Sequence, residues 1–350
     1  MREEARRELA GARAQAQAQA QAGAGAGDAA PPALLRDYEG ELLPASRAAH
    51  APERLRAVYD SFLGQFVDRG LDVDFVASQR PHYGGLREDS DGGKSVPLPW
   101  PREYVKMPGA PFPRNAVRLV VAPLVQAGDP GAGPLVARLA RLCASFQGLL
   151  RSHSPAAAPA ESFANPRQKL HVTLFFLSHP HDPRPDPFDP AGGLPSPGVP
   201  PASRPPPRDD TVVREVAAFR ALSMDGVVRG FALVVDRVVF TRTGTLLVLW
   251  TERGGEQVAT LRAAARHHLP GAPAKQPDIL HSTLVRVLTA EQMGEPARAD
   301  VAAFCERATA ELRGQTLHVR DLWYVQEFLY SCIEGETTRV RLADADAGGG

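Results

Sequence analysis

Two five-residue phrases of nearly identical wording, Leu170-His171-Val172-Thr173-Leu174 and Leu280-His281-Ser282-Thr283-Leu284, stand in the two halves of the chain's apolar region. Each lies in a mostly apolar run, Lys169–Leu177 and Ile279–Val287. In a strand, side chains alternate between faces, so His and Thr two residues apart point the same way. Each phrase therefore offers one imidazole and one hydroxyl on a buried strand. Burying such pairs costs free energy unless they are partnered or used. Histidine, with an unperturbed pKa of about 6.5, can give or take a proton near neutrality. Two of them on opposite sides of a phosphate can deprotonate an attacking oxygen and protonate a leaving one. The hydroxyls of Thr173 and Thr283 can donate to the non-bridging oxygens as charge builds there. The chemistry implied is phosphodiester transesterification or cyclic-phosphate hydrolysis. It asks for no cofactor and no metal, because the motifs supply two His and no Asp or Glu in phase with them.

Further candidates surround the motifs. Lys169 is in phase with His171. Arg286 lies five residues after His281, so a regular strand turns it to the opposite face, and only a bulge or the strand end brings it to the phosphate. Trp323 and Tyr324 alternate on a late strand, where one of them can stack on a base. His179-Pro180-His181 sits in a proline-rich stretch. His267-His268 closes a helix, where histidine suits the terminal carbonyls, and is assigned no function.

The paired His-x-Thr-hydrophobic phrases resemble the signature of the 2H phosphoesterase superfamily. Together with Phe231-Ala232-Leu233-Val234-Val235-Asp236 and Thr243-Gly244 they look most like its eukaryotic members, the A-kinase-anchoring type among them. The resemblance spans roughly residues 115–342. It implies an α+β, bilobal fold of two pseudo-twofold-related α/β lobes, with mostly antiparallel sheets around a central cleft and His171 and His281 facing across it. It also implies that His281 activates water and His171 protonates the leaving oxygen. The activity implied is that of a metal-independent phosphodiesterase acting on 2′,3′-cyclic phosphates or RNA 3′ ends. A nucleotide or RNA is then the partner, and a monomer is expected. The competing reading is a non-catalytic nucleotide- or RNA-end-binding or scaffold module of the same fold. The presence of both His and both Thr favours the enzyme.

The 350 residues carry 40 basic and 40 acidic side chains, so no global basic field drives nucleic-acid binding. Three widely spaced cysteines, Cys143, Cys305 and Cys332, argue against a disulfide framework and a cysteine zinc site. No run of 18 apolar residues predicts a membrane span. The Ala/Gln/Gly-rich start has neither the apolar core of a secretory signal nor the acid-poor composition of a transit peptide, so an intracellular, cytoplasmic or nuclear place is expected.

The elements that must position the motifs follow from periodicity. Residues 1–35 form a low-complexity tail, and 36–114 an extension with one helix, Pro52–Leu71, followed by a loop-rich wrapper, Arg80–Arg114. From 115 to 342 the pattern predicts a strand at Val117–Leu124, a helix at Pro134–Arg151 and the first motif strand. A proline-rich insertion at 179–208 follows, with nothing in it to bury and therefore expected to be mobile. Then come a helix at Thr211–Met224, strands at Gly230–Phe240 and Gly244–Trp250, a helix at Glu256–His268 and the second motif strand, Ile279–Leu288. A helix at Ala290–Arg313, one strand at Thr316–Gln326 and another at Thr337–Leu342 complete the domain. Residues 343–350 are a tail.

Overall fold

A computed structural model describes residues 42–87, 96–107, 112–126, 132–154, 160–196, 198–200, 203–254 and 256–344. The expected tail 1–35 lies outside them, as does most of the tail expected at 343–350.

Helices α1 (Leu42–Ala49), α2 (Pro52–Arg69) and α3 (Val73–Gln79) come first. Strands β1 (Tyr83–Arg87) and β2 (Val96–Pro101) then pair as an antiparallel hairpin. The body follows as β3 (Val117–Pro123), α4 (Ala132–Ser152), β4 (Ser162–Ala164), β5 (His171–Ser178), α5 (Asp209–Met224), β6 (Phe231–Phe240), β7 (Thr245–Arg253), α6 (Gln257–His268), β8 (His281–Val287), α7 (Glu295–Leu312), β9 (Thr316–Val319), β10 (Asp321–Glu327) and β11 (Gly335–Arg341). Valine and leucine dominate β3 and β7, as suits strands buried on both sides.

The strands of the body, β3 to β11, form two antiparallel sheets, one in each lobe of an α+β fold. The four-stranded sheet runs β11-β10-β3-β5, and the five-stranded sheet runs β4-β8-β7-β6-β9. The motif strands β5 and β8 lie in different sheets and touch each other. Behind the five-stranded sheet, Phe240 packs against Phe66 of α2 at 4.8 Å and Phe146 of α4 at 5.2 Å. Burying each such ring stabilises the fold by about 1.5–3 kcal/mol. Behind the four-stranded sheet, α5 buries Phe219 against Phe175 and brings Glu215 to Arg118.

Three expectations change. The segment Thr316–Gln326 is two strands in different sheets. The chain crosses from one lobe to the other at Arg320, where the side-chain oxygen of Gln126 accepts from the amides of Arg320 (3.1 Å) and Asp321 (2.9 Å). Hydrophobicity cannot show such a crossing, because both halves alternate alike.

The predicted wrapper holds structure of its own. Residues 80–87 and 96–107 form an arm comprising the paired strands β1 and β2 and a helical turn at Tyr104–Lys106. Its Tyr83, Tyr104 and Met107 share one core with Leu119, Val121 and Val325 of the four-stranded sheet.

The described residues of the proline-rich insertion lie on the body. Pro183, Pro185 and Pro187 are buried. Arg204 ties Asp182 (2.9 Å) to the Pro183 carbonyl (2.8 Å), and Arg118 donates to the Arg184 carbonyl at 2.7 Å. The amide of Gly271 donates to Pro187 O at 2.9 Å, and a Cβ at Gly271 would stand 1.7 Å from Asp189 O, so only glycine fits there. Proline loses little entropy on folding, and arginine donors replace the missing backbone donors, so a segment without apolar periodicity is still ordered.

Candidate active site

His171 opens β5 and His281 opens β8, each partly accessible and otherwise surrounded by protein. Thr173 and Thr283 are half-buried on the same faces as their histidines, while Val172 and Ser282 are fully buried on the other side. No protein group among the described residues engages either Thr hydroxyl.

The two strands repeat each other beyond the motif. On β5, Val121 faces Thr173 and Val120 faces Phe175, leaving Leu174 as a bulge. On β8, Leu247 faces Thr283 and Leu246 faces Val285, leaving Leu284 as a bulge. Each bulge resets the alternation by one residue. Arg286 therefore returns to the face of His281 and Thr283, and Phe176 to the face of His171 and Thr173. The opposite-face position that a regular strand gives Arg286 does not hold, and the bulge is the reason.

The bulge carbonyls are taken by side chains and backbone from elsewhere. Leu174 O accepts from Arg262 Nε of α6 at 2.7 Å. Leu284 O accepts from the amide of Asn165 at 2.9 Å, and Asn165 Nδ2 donates to Thr283 O at 2.9 Å. The ends of the strands are held as well. The Tyr59 hydroxyl donates to Trp250 O at 2.7 Å and accepts from the amide of Leu280 at 3.2 Å, immediately before His281. Trp250 Nε1 donates to Ser282 Oγ at 3.0 Å.

The ring of His171 is oriented by its backbone: Nδ1 lies 2.7 Å from the Lys169 carbonyl. A carbonyl can only accept, so Nδ1 carries the proton and Nε2 has the lone pair in the neutral ring. Ile279 stands in the same place before His281 and favours its charged form in the same sense, although His281 Nδ1 does not close a hydrogen bond of good geometry. Burial pushes the imidazole of His171 down to about 4 against this bond. Burial likewise pushes His281 down to about 4, and the charges of His171, Arg286 and Arg262 add to that. The charge of His171 thus acts on His281, and burial favours the neutral form of both rings before a ligand binds.

The remaining candidates divide. The Lys169 ammonium pairs with Glu334 at 3.1 Å, so its charge is already partnered. Trp323 lies in register with Val121, which faces Thr173, so it shares the site's face of the sheet. Tyr324 does not serve as a base platform: it is fully buried on the other face, and its hydroxyl donates to Glu215 at 2.5 Å. Strand alternation made these two alternatives, and register decides between them. His179 and His181 stand near the site, with the His179 ring edge-on to Phe176 at 4.6 Å and 5.2 Å from the ring of His181. Among the described residues, no group of three or more His, Cys, Asp and Glu side chains is placed to hold a metal ion.

Sequence reasoning did not single out Arg262, Asn165 or Tyr59. They lie far from the motifs in sequence and act on backbone carbonyls and amides, so nothing in their neighbours marks them.

No protein-family model matches the sequence, and no curated protein matches it. Among solved structures, the chain is similar to TT0787 of Thermus thermophilus, at 14% identity over 65% of this chain and 99% of that one, with a TM-score of 0.39. It is also similar to Usb1 of Kluyveromyces marxianus (10% identity, 65% and 99%, TM-score 0.37). A third is LigT of E. coli complexed with NADP+ (14% identity, 65% and 94%, TM-score 0.31). Among the described residues no helix is long and apolar enough to cross a membrane.

Proposed function

We propose that this protein is a phosphodiesterase of the 2H type that opens 2′,3′-cyclic phosphates or trims RNA 3′ ends through His171, Thr173, His281 and Thr283, without a metal. One observation carries the reading. Two His-x-Thr pairs lie on touching strands, each followed by a bulge at the same position, and the charge of His171 acts on His281. A scaffold has no use for two proton-transfer groups held in this matched way.

In the proposed reaction a water oxygen attacks phosphorus and passes its proton to His281 Nε2. One ring P–O bond breaks, and its oxygen takes the proton from His171 Nε2. Arg286 stands on the face of His281, and Arg262 acts on that ring from α6, so positive charge opposes an imidazolium at His281 before substrate binds. That asymmetry suits His281 to start neutral, as base, and His171 to start protonated, as acid. The incoming phosphate supplies the negative charge that favours the imidazolium. Thr173 and Thr283 donate to the non-bridging oxygens, Arg286 pairs with the anionic substrate, and Trp323 borders the site on the four-stranded sheet.

The test is to incubate the purified protein with 2′,3′-cyclic nucleotides and with oligonucleotides ending in a hydroxyl or a cyclic phosphate, in chelator, and to identify products by mass. Ring opening or stepwise shortening supports the reading. No product from any of them, with or without added zinc or manganese, overturns it.

A further inference from the structure

Beyond Thr283, β8 leads into a cluster that the His/Thr pairs leave unused. Arg286 makes no ion pair among the described residues. Glu327, which shares Tyr104 and Tyr330 with Arg286 as electrostatic neighbours, is engaged elsewhere. Its oxygens accept from the Tyr104 hydroxyl (2.7 Å) and from the amides of Cys332 (2.9 Å) and Ile333 (2.7 Å). A half-buried guanidinium without a carboxylate is costly, and an anionic ligand relieves that cost.

The arm brings two more polar groups to the same place. The Tyr83 hydroxyl lies against the Arg286 guanidinium. His82 stacks on Tyr330, with ring centroids 4.3 Å apart and planes at 24°. Tyr330 also packs edge-on against Tyr83, with centroids 5.8 Å apart, so the His82 ring stands beside the same cluster, where Arg286 and His181 act on it electrostatically. Yet Arg286 Nε, Tyr83 Oη and His82 Nδ1 are all buried without a hydrogen bond of good geometry. Three groups able to donate, from β8 and from the arm, thus lie in one cluster, with the Tyr83 hydroxyl and the Arg286 guanidinium against each other. Native proteins rarely leave buried polar groups unpaired without a use.

We propose that His82 and Tyr83 of the arm complete, with Arg286, a second anion subsite that binds a second phosphate of the substrate. This rests on the function proposed above and narrows it: the preferred substrate is a nucleotide or chain end bearing a phosphate besides the one that reacts. Arg286 lies three residues past Thr283, about 10 Å along the strand and less across the bulge, a span that one nucleotide bridges. A phosphate there accepts from the guanidinium, the phenol and the imidazole, the donor set that favours a dianion. The arm is held for this task. The amide of Arg102 donates to His82 O (2.8 Å), the amide of Tyr330 donates to Arg102 O (2.9 Å), and the Tyr330 hydroxyl donates to Gln79 (2.6 Å).

The experiment compares uridine 2′,3′-cyclic phosphate with the same molecule carrying a 5′-phosphate. The native protein should show kcat/KM about 10- to 100-fold higher for the 5′-phosphorylated substrate, the worth of one or two charge-assisted hydrogen bonds. In His82→Gln and Tyr83→Phe, which keep the packing, that ratio should fall towards one, whatever the absolute rates. Equal kcat/KM for the two substrates in the native protein, or a ratio unchanged in both variants, overturns the proposal. If neither substrate is turned over, the proposed function fails, and binding decides the subsite separately. Calorimetry with uridine 3′-phosphate and uridine 3′,5′-bisphosphate should then show tighter binding of the bisphosphate, lost in the two variants. Equal affinity overturns it.

Discussion

Arg262 Nε donates a 2.7 Å hydrogen bond to the carbonyl of Leu174, the residue that makes the bulge of β5. One side chain of α6 thus fixes the point where the first motif strand changes its alternation. Positive charge at Arg262 also acts on His281, in the other lobe. Removing it frees the bulge carbonyl and changes the setting of both histidines. Arg262→Met is expected to lower kcat on any phosphodiester the protein turns over by about 10- to 100-fold, with the far-ultraviolet spectrum unchanged, because small misplacements of reacting groups are costly. Undiminished kcat would show that the bulge holds itself.

The buried pair Arg118–Glu215 has no exposed side-chain surface, and Arg118 makes bonds of 2.8–3.1 Å to both carboxylate oxygens. Glu215 also accepts from Tyr324. Glu215→Gln leaves a buried guanidinium without its counter-charge and should cost about 3–5 kcal/mol in denaturant unfolding. Arg118→Met combined with Glu215→Leu should recover most of that loss. A single variant as stable as the native protein would contradict the argument.

Much of the site was legible before the structure. The repeated His-x-Thr phrases, the period of two around them and the order of strands and helices gave the strand faces and the two lobes. The bulges were not legible, since Leu174 and Leu284 look like any core leucine. Their consequence, Arg286 on the active face, therefore does not follow from alternation alone. Nor did composition reveal that Pro183, Pro185 and Pro187 are buried, or that Trp323 rather than Tyr324 shares the site's face. Those depend on long-range partners such as Arg118 and on register with β3.

Acid should unfold the protein early. His50, His171, His179 and His281 are each pushed down to about 4, mainly by burial. An unfolded histidine titrates near 6.5, so between about 6.5 and 4 the unfolded chain binds more protons than the native one. Their stabilisation is complete above pH 6.5 and is lost as pH falls through that window. Glu327, raised to about 6 by burial, works in the opposite sense, as does Glu252, so four groups outweigh two. Thermal scans from pH 8 to 4 should show a flat Tm above pH 7 and a steep fall below 6.5. A Tm constant from pH 6.5 to 4.5 would refute the buried neutral histidines.

Replacing residues 181–208 by a short Gly/Ser linker removes three buried prolines and the Arg184 carbonyl that Arg118 uses. A loss of roughly 2–3 kcal/mol follows, equivalent to a Tm lower by roughly 5–10 °C in a domain of this size. A shift below about 2 °C would return the segment to the status of a loose surface loop.

The central claim is that His171 and His281 act as one acid–base unit. It is tested most directly by the turnover of a 2′,3′-cyclic nucleotide by the native protein, His171→Ala, His281→Ala and the double variant, with folding checked by circular dichroism. Each single variant should lose about 10²- to 10⁴-fold in kcat, and the double variant should be scarcely slower than either, as for groups that act together. Near-native turnover by either single variant, or losses that multiply in the double variant, would contradict the account.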